Sequence, residues 1–133
     1  RNALNLKTKI VGVVSDKFPA AKQSFESGRI IHTEAAQSFA DGMAVRAPIP
    51  DAYSIYSKGA ERILEVSDDE IAKATRMYFS DTHNNAEGAG AASLAAVMKE
   101  REKLTHKKVG VILTGGNIDT NQFKTILEGD TPT

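Results

Sequence analysis

Apolar positions cluster in short unbroken runs that alternate with stretches of helical spacing. Ile10, Val11, Val13 and Val14 crowd Lys9 to Ser15. Val109, Val111, Ile112 and Leu113 crowd the segment from Lys108 to Asp119, where Gly115-Gly116 ends the run. Runs of this length, apolar on both alternating faces and bounded by glycine, predict strands covered on both sides, as in a parallel sheet. Arg62-Ile-Leu-Glu-Val66 is a third, shorter strand candidate. In such a sheet Thr114 would stand at a strand's carboxyl end, facing the crevice where ligands usually sit. The same residues also suit an ordinary strand with a glycine turn.

Between these runs the pattern predicts helices. Pro19 opens Ala20 to Ser27, which stops at Gly28. Asp51 can cap a helix running to about Glu61. Ser67-Asp-Asp-Glu70 is a capping box with acids at the helix's positive end, and Ile71, Thr75, Tyr78 and Phe79 follow at helical spacing to Asp81. Glu87 to about Lys103 reads as a helix whose first half is small and apolar all round, hence buried on most sides. Asp119 or Thr120 caps a last helix to about Leu127, and Gly129 to Thr133 is expected to fray. Arg1 to Lys7 suits the tail of a helix, and Ile30 to Phe39 reads as loop. The order predicts an α/β fold, a mostly parallel twisted sheet flanked by helices with right-handed crossovers.

The 133 residues amount to one ordinary domain. Hydrophobic residues make up 41% and charged residues 26%, a globular composition. Lys+Arg and Asp+Glu both number 17, so nothing points to a nucleic-acid or membrane-surface partner. Absence of cysteine removes disulfides, thiolate zinc sites and a cysteine nucleophile. No apolar run approaches the ~20 residues of a membrane span, and no signal-like segment opens the chain, so the expected compartment is cytoplasmic.

Candidate chemistry is sparse. His32, His83 and His106 lie far apart in polar surroundings without metal-ligand spacing. None of the serines sits in a Gly-x-Ser-x-Gly elbow. Asp68-Asp69 belongs to the capping turn. Two features remain. Glu87-Gly-Ala-Gly-Ala places glycines inside a helix at a cost of roughly 1 kcal/mol each against alanine, so something must come close. Thr114-Gly-Gly-Asn117 follows the apolar run. The residues by themselves reach only an α/β domain with a ligand crevice at its strand ends.

Taken together, Ala40-Asp-Gly42 with Ala44-Val45, Glu87-Gly-Ala-Gly-Ala-Ala-Ser-Leu-Ala-Ala96 and Thr114-Gly-Gly-Asn-Ile-Asp119 resemble the serine/threonine dehydratases. These are pyridoxal-phosphate enzymes of the tryptophan-synthase-β fold type (fold type II). The resemblance covers essentially the whole chain. It implies that residues 1–133 are the carboxyl-terminal part of the large, cofactor-binding domain, and that the Schiff-base lysine and the phosphate-binding loop lie outside them. No catalytic residue is therefore expected here. The cofactor-binding residues it implies are Thr114, Gly115, Gly116, Glu87 and Gly42. Thr114 matches the hydroxyl residue that hydrogen-bonds the pyridine nitrogen. The two glycines let the backbone pass under the ring, Glu87 matches an acid close to the cofactor, and Gly42 lies near the ring substituents. Some relatives bind a divalent cation through a carboxylate just after the first strand. Val14 and Ala20 stand at the matching positions, so no such metal site is expected.

The implied reaction is β-elimination from a hydroxy amino acid, giving a 2-oxo acid and ammonia. The chain's eleven lysines show none of the family's lysine-motif surroundings. Residues 1–133 alone are therefore expected to be inactive. A related racemase or hydroxy-amino-acid lyase, or a non-catalytic binding domain of the same fold, fits the same residues. The expected partners are a small amino acid and either a second copy or the remainder of the enzyme. Uncovered strand edges and an uncovered apolar face along Gly88 to Met98 are expected to make the fragment poorly self-sufficient.

Overall fold

A computed structural model of the chain describes residues 1–133, the side chain of Asn2 excepted. Strand β1 (Val11–Ser15) leads into helix α1 (Ala20–Ser27). A long loop with one 3-10 turn at Asp41–Met43 reaches α2 (Pro50–Gly59). Then follow strand β2 (Arg62–Val66), α3 (Asp68–Thr82), α4 (Gly88–Lys99) and α5 (Thr120–Glu128). Only a 3-10 turn, Asn2–Leu4, precedes β1, in place of the expected helix tail. Among the described residues no helix is long and apolar enough to cross a membrane.

β1 and β2 pair in parallel, Val11 opposite Arg62 through Ser15 opposite Val66. The parallel α/β arrangement expected from the runs is present, but the sheet is two-stranded. The third run, Val109 to Leu113, forms no strand. Its residues stand open, Ile112 at 74% exposure, and only Leu113 packs against the core. A strand is defined by its ladder partners, and among the described residues none pairs with this stretch; apolar content alone does not make the hydrogen bonds.

The core lies between β2, α3 and α4. Val66, Ile71, Ala72 and Ala74 meet Ala91, Ala92, Ala95 and Ala96, with Phe39, Ala40 and Ile126 closing the ends. Alanines and glycines on both helices allow a close approach. The expected uncovered face on α4 is therefore covered: Gly88, Gly90, Ala91, Ala92, Ala95 and Ala96 are all buried. The helix also ends earlier than expected, at Lys99.

Capping follows the sequence closely at α3, where both arms of the box form: Glu70 N donates to Ser67 Oγ (3.2 Å) and Ser67 N to Glu70 Oε2 (2.9 Å). Asp119 caps α5 by accepting from the amides of Asn121 and Gln122. At α2 the expected cap is wrong. Ile49 is the capping position, Pro50 takes the first turn, and Asp51 sits within the helix. Proline's fixed φ and missing N–H suit that first position. The expected frayed tail is wrong as well. Asp130 N donates to Thr125 O, Thr131 Oγ1 donates to Asp69 Oδ1 at 2.7 Å, and Pro132 is buried. Phe79 and Phe123, edge to face at 5.3 Å, and Arg76 Nε on Ile126 O (2.7 Å) hold α5 to α3.

Candidate functional site

Three loop-to-element junctions meet at the amino end of α4. The turn at Ala40–Met43 lies on one side, Asn85 to Gly90 in the middle, and Leu113 to Asn117 on the other. Glycine is what lets them touch. A Cβ at Gly88 would lie 2.8 Å from Ala40 Cα, and one at Gly42 would lie 2.9 Å from Ala89 Cβ. A Cβ at Gly90 would collide with the Gly115 backbone. At Gly115 it would lie 2.5 Å from Glu87 Oε1, and at Gly116 it would lie 2.6 Å from Asn85 O. Each of these distances is shorter than van der Waals contact allows: Gly90 is required by the Gly115 backbone, Gly88 by Ala40 and Gly116 by Asn85.

Polar contacts lock the same junction. Glu87 N donates to Gly115 O at 3.1 Å, and Asn117 N donates to Glu87 Oε2 at 3.1 Å. Asn85 Nδ2 donates to Gly116 O at 2.8 Å, and Ser93 Oγ to Ile112 O at 3.0 Å. Glu87 occupies the capping position of α4, yet its side chain caps nothing there. It reaches across to the glycine turn. The structure thus brings Glu87, Gly115 and Gly116 into direct contact and sets Gly42 against Ala89 two residues away. Thr114 adjoins this junction through the chain and is exposed. Asn85 and Ser93 also belong to it. Sequence reading passed over both, since an asparagine in a loop and a serine on a helix carry no signal until the facing backbone is known.

The other titratable groups serve the frame. Arg62 and Lys103 both engage the Glu100 carboxylate, and the Arg62 hydrogen bond holds its pKa below the ordinary value. Burial, reinforced by the nearby Asp68 charge, raises the pKa of Asp16. The Asp68 hydrogen bond raises that of Lys17. His32, His83 and His106 are all exposed. His83 and His106 adopt left-handed backbone, φ 55° and 62°, and His83 ends α3 in that conformation. Val14 lies within β1, and Ala20, at the start of α1, is fully buried.

A sequence model of the family described as "Pyridoxal-phosphate dependent enzyme" matches residues 1–115. The chain belongs to that family. An L-threonine ammonia-lyase of Thermotoga maritima is 32% identical over 125 residues, covering 94% of this chain and 31% of the relative. A serine racemase of Schizosaccharomyces pombe is 31% identical over 114 residues, covering 86% of this chain and 35% of the relative. In shape, the chain superposes on a threonine deaminase from T.th. with a TM-score of 0.83 at 33% identity, covering 89% of this chain and 43% of that one. The fold is that of the fold-type-II pyridoxal-phosphate enzymes. The chain spans about a third of the length of the curated relatives it matches.

Proposed function

We propose that residues 1–133 form the carboxyl-terminal part of the cofactor-binding domain of a dehydratase, and that the whole protein eliminates water from a small hydroxy amino acid such as threonine or serine. The single observation carrying this reading is the glycine junction, where Gly115 and Gly116 lie against Glu87 and Asn85 with no room for a side chain. The face of that backbone turned away from Glu87 and Asn85 carries no side chain and suits a flat aromatic ring lying against it. A neutral hydroxyl beside it, on Thr114, suits a ring nitrogen. On these grounds the residues present fit pyridoxal phosphate.

When bound, that group supplies the electron-withdrawing ring that lets an amino acid's α-proton leave. This chain's residues supply orientation. Thr114 would hold the ring nitrogen through a neutral hydrogen bond, which leaves the nitrogen largely unprotonated. Gly115 and Gly116 would admit the ring plane. Glu87, fixed by the Asn117 amide, would keep a carboxylate at a set distance from the ring, and Gly42 would flank its substituents. The proton-transferring lysine and the phosphate loop would come from other parts of the protein. A cytoplasmic location and association with a second copy accompany this reading.

The test is an assay of the complete polypeptide with pyridoxal phosphate and L-threonine or L-serine. The expected result is equal release of ammonia and 2-oxo acid, with none from residues 1–133 alone. Conversion of L-serine to its enantiomer without ammonia would assign a racemase instead. Neither product from any hydroxy amino acid would sink the reading.

A further inference from the structure

Asp68 does not do what its place in the sequence suggests. It stands first in α3, inside a capping box, where an acid ordinarily serves the helix dipole. Ser67 and Glu70 already complete that cap by themselves. The Asp68 side chain is 7% exposed and turns away. Its Oδ2 accepts from Lys17 Nζ at 2.7 Å and its Oδ1 from Ser38 Oγ at 2.6 Å. These partners are 51 and 30 residues away in sequence. A buried carboxylate is tolerated when its charge is paired and its oxygens are satisfied, and here both oxygens are used.

The chain of contacts continues from Ser38. Its Oγ accepts from Ala40 N at 3.1 Å, and Ala40 O accepts from Met43 N at 2.9 Å. Ala40 is fully buried and is the residue against which Gly88 is pressed, while Gly42 is pressed against Ala89. From Gly88 and Ala89 it is a short step back along the chain to Glu87. One carboxylate therefore ties together the turn after β1, the start of α3 and the Ala40–Met43 turn that flanks the amino end of α4.

We propose that Asp68 is a positioning residue: acting through Ser38, it fixes the Ala40-Asp41-Gly42 turn in the orientation that completes the cofactor-side surface beside Glu87. The carboxylate accepts from Ser38 and pairs the Lys17 charge at once. An asparagine could keep the Ser38 link by donating its NH2 group to the hydroxyl, so alanine is the substitution that removes both links. The first part of the inference concerns the turn alone; the last step, from turn to cofactor, rests on the function proposed above.

The experiment compares the complete polypeptide with Asp68→Ala, Ser38→Ala and Ser38→Thr. Amide hydrogen exchange at Ala40 and Met43 reports on the turn, exchange along α3 reports on the scaffold, and the pyridoxal-phosphate dissociation constant reports on the site. In Ser38→Ala and Asp68→Ala, exchange at Ala40 and Met43 is expected to rise about tenfold, with the α3 interior unchanged, as for loss of a local hydrogen-bonded link. Cofactor affinity is expected to fall by a similar factor. Ser38→Thr, which restores the hydroxyl, is expected to bring both back toward the parent protein. Equal loss of protection along α3 would mean that Asp68 is merely structural, and unchanged protection at Ala40 and Met43 would also overturn the proposal. Faster exchange at the turn with unaltered affinity would overturn the link to the cofactor. If Asp68→Ala does not fold, the two Ser38 variants carry the same test. Failure of the unsubstituted polypeptide to bind the cofactor would sink the function reading and the step to the cofactor, while the exchange data would still decide whether Asp68 holds the turn.

Discussion

β1 and the segment from Val109 to Leu113 are written alike and folded differently. Both are valine-rich runs of five residues with a glycine in second place. β1 finds β2, forms five registered pairs and ends in the fully buried Ser15. The second run finds no partner among the described residues and leaves Val109, Val111 and Ile112 exposed. Its far end is held, by Ser93 on the Ile112 carbonyl and, beyond it, by Glu87 and Asn85 on the glycine turn. An apolar run therefore records that a segment suits being covered. Whether it becomes a strand depends on an edge to pair with, and that is a property of the neighbours.

The contrast can be broken most sharply in the paired sheet. Val66, fully buried at the end of β2, should lose about 2–3 kcal/mol on replacement by alanine, from lost burial plus the cavity left behind. Denaturant unfolding of residues 1–133 would check this, and a loss below a quarter of that range would mean the β1–β2 core is loose. Gly90→Ala comes next. The new methyl has no space against the Gly115 backbone, so overpacking should outweigh the roughly 1 kcal/mol of helix propensity gained, for a net loss of about 1–2 kcal/mol. The same substitution should also loosen exchange at Asn117, whose amide Glu87 holds.

Arg62→Met is expected to cost a comparable 1–2 kcal/mol or so, since it strands the buried Glu100 carboxylate with Lys103 alone. The pH dependence follows the same pair. Glu100 has its folded pKa below the ordinary 4.5, so its contribution is present above that value and is lost as pH falls through the folded pKa. Asp16, with a raised pKa, works in the opposite sense: its charged form is penalised in the folded state, and acidification relieves that. Stability followed by thermal melting from pH 6 downward should therefore fall less steeply in Arg62→Met than in the parent. An unchanged slope would show that Arg62 does not hold the Glu100 charge.

Ser67→Ala should remove about 1 kcal/mol with its cap. Smallest of all should be Ile112→Thr, within about 0.5 kcal/mol in residues 1–133, because Ile112 is 74% exposed. A large loss there would contradict the exposed state of that run.

The same contrast explains what could be read from the sequence. Helices whose signals are local were legible to within a residue or two: the Ser67 box, the Gly28 stop, and the last helix opened at Asp119 or Thr120. The small-residue character of α4 announced close packing, and Gly90 of Glu87-Gly-Ala-Gly turned out to face Gly115 of Thr114-Gly-Gly. Features fixed by distant partners were not legible. Nothing near Asp68 reveals Lys17 or Ser38, and nothing in Gly129 to Thr133 reveals that Thr131 reaches Asp69. Proline's claim on the first turn of α2 displaced Asp51 from the cap, a competition between two valid local rules.

The central claim is that the glycine junction and Thr114 form one wall of a pyridoxal-phosphate site. Its most direct test is a spectroscopic cofactor titration of the complete polypeptide against Thr114→Val, a change of nearly equal volume that removes only the hydroxyl. The account predicts that the cofactor binds the parent protein and that Thr114→Val weakens binding about tenfold, as expected for one lost hydrogen bond, with the melting temperature unchanged. Equal affinity in the two proteins, with a matching cofactor spectrum, would contradict it.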